Sequence, residues 1–155
     1  MSKLLISVLS PVIFICSVFV NVSFAYESSG IVVENSYVRE SIPGTDISSA
    51  YMALKNTSTK NVSLVTASSE VSDRIEIHQH TMENGLMKMR QVDSVEITAK
   101  EQVIFQPSGF HLMIFDLKAP LKANENIVIT LYFDDKSTID VNYLVKGLKQ
   151  KHHHH

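Results

Sequence analysis

Residues 74 to 90 read RIEIHQHTMENGLMKMR, two runs that alternate apolar and polar side chains on either side of the turn-forming triplet Glu83-Asn84-Gly85. Successive side chains of a β-strand point to opposite faces, so the two isoleucines point to one face and His78 and His80 to the other. Two such runs joined by this short turn are typical of a β-hairpin. The stretch therefore predicts a hairpin whose histidines lie on the polar face.

The rest of the chain from Gly30 onward shows the same short β-branched and aromatic runs between turn formers, with no sustained 3.6-residue period. Strands are predicted over nine segments: 30–41, 49–56, 62–69, 74–81, 86–92, 102–107, 110–117, 126–134 and 138–146. Short strands with turns this frequent predict an all-β fold, a Greek-key β-sandwich in one domain.

The first 25 residues differ from the rest because Lys3 is followed by a nearly uncharged apolar run that ends in small residues. This pattern predicts a secretory signal peptide over residues 1–25, cleaved after Ala25. An uncleaved membrane anchor is the alternative, since the run could reach across much of a bilayer, but Pro11 and the small-residue ending favour cleavage. A lipoprotein signal is disfavoured because Ile15 precedes Cys16, where a small residue is expected.

Cleavage at this point changes the composition of the remaining chain. It removes the single cysteine and leaves 13 Lys+Arg against 16 Asp+Glu, a net charge of −3. The domain over residues 26–148 can then form no disulfide, and its stability must come from a hydrophobic core, for which it is long enough. A mildly acidic chain without a basic stripe gives no reason to expect nucleic acid. We expect an exported monomer with no stable membrane insertion.

The chain ends in a polar tail, residues 149–155, that contains His152 to His155. The four histidines are either a genuine metal-attracting tail or the remnant of a purification tag, and the retained signal peptide favours the first reading. Imidazole suits Cu(II), so this tail and His80 are candidates for Cu(II) binding outside the main site.

A second stretch, FHLMIF over residues 110–115, again pairs a histidine with a methionine. Alternation puts His111 and Met113 on one face and the leucine between them on the other. If the hairpin turn is tight, His78 and Met89 face one another across it. These four residues could form one His2Met2 site, whose soft neutral thioethers favour Cu(I) over Zn(II), Ca(II) or Mg(II). Without cysteine, the domain cannot form a His2Cys blue-copper, thiolate zinc or iron-sulfur site.

Each of these residue types also has an ordinary structural explanation. A methionine in a strand is more commonly a core filler, which is the reading for Met52, Met82 or Met87 taken singly. A histidine in a half-exposed strand is more commonly a surface residue. What favours a metal site is that all three histidines of the predicted domain lie on the polar face of methionine-containing strands.

The spacing His78-X10-Met89-X21-His111-X-Met113 resembles the copper-binding signature of the periplasmic copper chaperones of the PCu(A)C family. The blocks YVRESIPGTDISSAYMALKNTSTKNVSLVTASS, GLMKMR and GFHLMIFDLKAPL are also similar to that family, so the resemblance covers about residues 30 to 146. One departure is Gln79, at a position that is sometimes methionine in the family.

The resemblance implies a cupredoxin-like β-sandwich with Cu(I) bound by His78, Met89, His111 and Met113. It further implies copper handling in the periplasm for assembly of the CuA centre of cytochrome c oxidase. The partners would be oxidase subunit II or a Sco-type protein. Copper scavenging or tolerance without a dedicated oxidase acceptor is the alternative role.

Three other function classes are less consistent with the sequence. An electron-transfer cupredoxin would need a cysteine ligand. A histidine-brace oxygenase would need an amino-terminal histidine, whereas the predicted cleavage exposes Tyr26, and no nucleophile motif accompanies the histidines, so we expect no enzyme activity. A purely structural or adhesive sandwich would make the His/Met arrangement accidental, and absence of Cu(I) binding would favour it.

Overall fold

The computed structural model describes residues 30–147, which form ten β-strands and contain no helix, hence none that could cross a bilayer. The predicted signal peptide and the C-terminal histidines lie outside the described residues. The strands are β1 Ile31–Arg39, β2 Ser48–Asn56, β3 Val62–Ser68, β4 Arg74–Glu83, β5 Leu86–Gln91, β6 Val95–Ile97, β7 Gln102–Phe105, β8 Phe110–Phe115, β9 Asn126–Phe133 and β10 Thr138–Lys146.

All nine strands predicted from the sequence are present, and one strand was missed. The missed strand, β6, has only three residues, too few for an alternation pattern to be recognised. It forms through its partner, because Val95 and Ile97 are buried where β6 pairs with the start of β3.

The strands form one continuous hydrogen-bonded series in the order β5-β4-β8-β7-β2-β1-β10-β9-β3-β6, and β8 also pairs directly with β2. Most neighbours are antiparallel, while two pairs run parallel: β1 with β10 and β7 with β8. One core cluster takes side chains from both halves of the series, for example Ile77 and Leu112 from one half and Ile129 and Leu131 from the other. The series is therefore folded over as two packed layers, the β-sandwich that the sequence predicted.

One side of β4 and β8 packs into this core and the other faces outward. Ile77, Leu112 and Ile114 are at most 3% exposed and point inward. Histidine and methionine occupy the intervening positions on the opposite face, which we call the outer face. The alternation predicted for both strands is confirmed, and it places the polar donors outside the core.

The neighbouring strand β2 is buried on both faces. Met52 points into the core, where the Tyr143 hydroxyl donates a hydrogen bond to its sulfur at 2.6 Å. On the outer face Tyr51 is 6% exposed because the Tyr37 ring packs against it at 5.0 Å and the Arg39 guanidinium lies over it. Met52 is thus a core filler, and the Tyr51 ring lies beside the outer face of β8.

Candidate metal centre

The β4–β5 hairpin closes through a two-residue loop, Asn84 and Gly85, both with positive φ (52° and 76°). An Asn-Gly loop of this kind matches the right-handed twist of the flanking strands and fixes their register. Met89 is consequently opposite His80, and the residue opposite His78 is Gln91. The expectation that His78 and Met89 face one another is wrong, because the last pair before the loop is Glu83 with Leu86, and counting back from that pair places Met89 two residues away from the position opposite His78. Met89 remains on the same face, diagonal to His78.

The pairing of β4 with β8 brings the other predicted donors together. His78 lies directly opposite His111, with ring centroids 5.8 Å apart, and Met113 is opposite Glu76 on the same face. His111 is only 2% exposed, Met113 is half-buried, and Met89 is 46% exposed. The structure therefore gathers His78, His111 and Met113 on one patch, with Met89 at its exposed edge.

The His78 ring is held by a carboxylate. Its Nε2 lies 2.8 Å from a Glu76 oxygen, and the other Glu76 oxygen accepts a 2.8 Å hydrogen bond from Arg74. Because a carboxylate only accepts, Nε2 must carry the proton and the lone pair of the neutral ring is on Nδ1. That Nδ1 is buried and has no hydrogen-bond partner. The arrangement leaves an unpaired donor atom of the kind that a metal ion would satisfy.

The same hydrogen bonds act on Glu76 itself. The hydrogen bond from His78, followed by that from Arg74, lowers the pKa of the Glu76 carboxyl below its usual value. Arg74 is in turn placed by Phe115, whose ring lies 4.3 Å beneath its guanidinium. Glu76 is therefore ionised at neutral pH and orients His78 as a fixed acceptor.

The His111 ring is oriented from the backbone. Its Nδ1 lies 3.1 Å from the Gly109 carbonyl oxygen, which also accepts the backbone N–H of His80 at 3.2 Å. With the proton on Nδ1, the lone pair of His111 is on Nε2. Burial, together with the nearby His80 and His78, lowers the pKa of His111, outweighing the opposite effect of the Gly109 hydrogen bond. The ring is neutral at pH 7, the form that can bind a metal.

Thioether sulfur accompanies the imidazoles at this position. Within residues 30–147 no three His, Cys, Asp or Glu side chains are grouped so that they could hold a metal ion. Met113 supplies a sulfur on the patch, whose position is fixed by a 3.6 Å hydrogen bond from the Ser49 hydroxyl. Two imidazoles with thioethers form a neutral, soft donor set, which favours Cu(I) among the common metals.

The family of this chain follows from comparison with known proteins. The family model described as "LpqE-like: Putative lipoprotein LpqE-like" matches residues 31–145, most of the chain. The chain belongs to the LpqE-like family.

Individual relatives of this LpqE-like protein agree with the assignment. It is 31% identical over 121 residues to "Putative lipoprotein Lxx21020" of Leifsonia xyli subsp. xyli, covering 77% of this chain and 72% of the relative. The solution structure of CuI-DR1885 from Deinococcus radiodurans is 30% identical, with a TM-score of 0.64 over 80% of this chain and 83% of that one. The copper-bound PCuAC domain from PmoF2 shares the fold, with a TM-score of 0.67 at 17% identity over 79% and 97% of the two chains. The predicted PCu(A)C resemblance and cupredoxin-like fold are confirmed.

Sequence reasoning did not assign a role to two residues of the LpqE-like centre. Glu76 shares the face of His78, which alternation alone could have indicated, but its hydrogen bond depends on the rotamers of both side chains. Tyr51, whose ring lies 6.3 Å from that of His111, is on a strand that is distant in sequence and has no local sequence signal. Both shape the surroundings of the imidazoles without supplying a soft donor.

Proposed function

We propose that this LpqE-like protein is an exported copper carrier that binds one Cu(I) through His78, Met89, His111 and Met113. The observation that carries the proposal is the buried, unpartnered Nδ1 of His78, whose ring lies 5.8 Å from the ring of His111 across β4 and β8. An unsatisfied buried polar atom is unfavourable in a folded protein unless something else occupies it. A Cu(I) ion bound between the two rings would remove that penalty.

The ligand set suits a carrier rather than an enzyme. All four proposed donors are neutral, so a bound Cu(I) retains its positive charge on a half-buried face, and no carboxylate among them would favour harder ions. Both rings are already oriented by Glu76 and Gly109, which reduces the ordering that binding requires. Met89 lies at the exposed edge, where an acceptor's ligand could replace it.

Two of the relatives support copper as the metal. CuI-DR1885 is by its description a Cu(I) protein, and the PmoF2 domain is described as copper-bound. We propose the same cargo here, delivered in the periplasm to the CuA centre of cytochrome c oxidase, through subunit II or together with a Sco-type protein. The family description as a lipoprotein agrees with export, and the Ile15-Cys16 pair favours a cleaved signal peptide over lipid attachment.

Competition against a coloured Cu(I) chelator tests the proposal under anaerobic conditions. The chain from Tyr26 to Gln150, which lacks the terminal histidines, should retain one tightly held Cu(I), because there is one His2Met2 set. A stoichiometry near zero would refute copper carriage, and two tightly held ions would show that the ligand set is incomplete. Mixing two equivalents of the loaded protein with a reduced apo CuA domain, followed by ferricyanide as the one-electron oxidant that converts a Cu(I) pair to the coloured mixed-valence centre, then tests delivery. Failure of the CuA absorption to appear would contradict this acceptor and favour copper scavenging or tolerance.

A further inference from the structure

The β4–β5 hairpin exposes four large apolar side chains beyond the proposed copper ligands or at their edge. Met82 and Leu86 are each 66% exposed, Met87 is 56% and Met89 is 46%. Exposed methionine is unusual enough in a short hairpin to require an explanation, since thioethers more commonly fill cores. The distribution of these residues between the two faces of the hairpin supplies one.

The register of the hairpin places its three methionines on one face and Leu86 on the other. Met82 is opposite Met87, and His80 is opposite Met89, so all three methionines lie on the outer face with the proposed copper ligands. Leu86 is opposite Glu83 and points to the other face. Directly opposed residues have Cβ atoms about 4.5–5.5 Å apart, which long side chains easily bridge. The soft donors thus continue from the centre to the tip of the hairpin.

His80 occupies the middle of this row and its ring has no structural hydrogen bond to explain its placement. The ring stacks on that of His111, with centroids 5.0 Å apart and planes inclined by 26°. Its Nδ1 is buried without a hydrogen-bond partner. A second imidazole with an unused nitrogen therefore lies between the proposed centre and the exposed methionine pair.

We propose a second Cu(I) position on this hairpin, formed by the His80 imidazole and the thioethers of Met82 and Met87, through which copper enters and leaves the main centre. This inference rests on the proposed function. We call it the hairpin position. Copper remains Cu(I) throughout, and each new bond to nitrogen or sulfur forms as a bond to the previous ligand breaks. Met89, which is opposite His80, lies between the two positions and passes the ion from one to the other.

The hairpin position must bind more weakly than the main centre. Its two sulfurs are on exposed side chains that lose rotamer freedom when they bind, whereas His111 and Met113 are already packed. No carboxylate or carbonyl orients the His80 ring as Glu76 and Gly109 orient His78 and His111. A weak, exposed position next to a tight one allows rapid exchange with a partner without loss of the tightly bound ion.

Methionine methyl NMR during anaerobic Cu(I) titration tests this arrangement directly. The protein should have His152 to His155 replaced by serine so that the tail cannot compete, and Met52 serves as the internal reference because it is buried in the core. The first equivalent should shift the methyl signals of Met89 and Met113. Further equivalents should shift those of Met82 and Met87, while Met52 stays unchanged.

The two proposals fail in different ways in this experiment. If the first equivalent leaves Met89 and Met113 unshifted, the proposed function is wrong. If that equivalent behaves as expected but Met82 and Met87 never shift, the hairpin position does not exist, and the exposed methionines serve some other contact.

Exchange kinetics test the role of the hairpin position in transfer. In the double variant Met82→Ile/Met87→Ile, the equilibrium Cu(I) affinity of the main centre should stay within about twofold of wild type. Its transfer rate to a chelator should fall about tenfold, equivalent to about 1.4 kcal/mol in the barrier. Leu86→Ile, equally exposed but on the opposite face, is the matched control and should change neither. An unchanged transfer rate in the double variant would overturn the proposed route.

Discussion

Removal of the Glu76 carboxylate should weaken Cu(I) binding although Glu76 itself binds no copper. Its oxygen accepts the Nε2 proton of His78 at 2.8 Å, which keeps the lone pair on Nδ1 and the ring in one orientation. Loss of such a partner typically lowers metal affinity by about 10- to 100-fold, or about 1.4 to 2.7 kcal/mol. Glu76→Leu removes the acceptor altogether and should approach the upper end of this range.

Glu76→Gln should have a smaller effect, because the amide oxygen can still accept the hydrogen bond. A hydrogen bond to a charged group contributes about 1 kcal/mol more than a neutral one, so we expect a loss of affinity of about fivefold. The fold should persist in both variants, since Arg74 is more than half exposed and still lies on the Phe115 ring.

Chelator competition at pH 7.5 measures the affinities, and long-range proton–nitrogen NMR reports which nitrogen of apo His78 is protonated. Glu83→Gln is the matched control: this carboxylate pairs with Lys88 and Arg90 at the end of the hairpin, on the face away from the centre. It should leave both measurements unchanged. If Glu76→Leu folds normally and binds Cu(I) as tightly as wild type, the assigned role of Glu76 is refuted.

Three further predictions concern the sulfur ligands, the buried histidine and the tail. Met89→Ile or Met113→Ile should each lower Cu(I) affinity about tenfold or more, at least about 1.4 kcal/mol; if both variants bind Cu(I) as tightly as wild type, these methionines are packing residues. Met52→Ile should keep the Cu(I) affinity but lower the free energy of unfolding, measured in urea, by about 1–3 kcal/mol, because the Tyr143 hydroxyl loses its acceptor. Burial lowers the pKa of His111, so this ring binds a proton more readily in the unfolded chain than in the folded protein. The free energy of unfolding of the apo protein should therefore fall as pH drops below about 6.5. In urea titrations, His111→Gln should reduce this pH dependence. Deletion of His152 to His155 should reduce Cu(II) capacity in metal titrations and leave Cu(I) binding intact, since the tail offers only imidazoles; loss of Cu(I) binding on deletion would contradict this.

The sequence by itself determined which segments are strands and which way their side chains point. Alternation is a local property of extended backbone, so Leu112 could be assigned to the core and His111 and Met113 to the outer face without knowledge of their neighbours. The four-residue spacing likewise indicated the family. The short strand β6 was not predicted because three residues are too few to show an alternation pattern, and its burial depends on pairing with β3.

Only the tertiary structure decided which donors meet. His78 and His111 become opposed through pairing of strands that are distant in sequence, and a two-residue loop rather than a three-residue one moves Met89 opposite His80. A change of register leaves strand propensity the same yet replaces every cross-strand neighbour. The strand pattern alone therefore could not predict which donors are opposite one another. The roles of Glu76 and the unpaired nitrogens depend further on side-chain rotamers and hydrogen bonds, which exist only once the layers are packed.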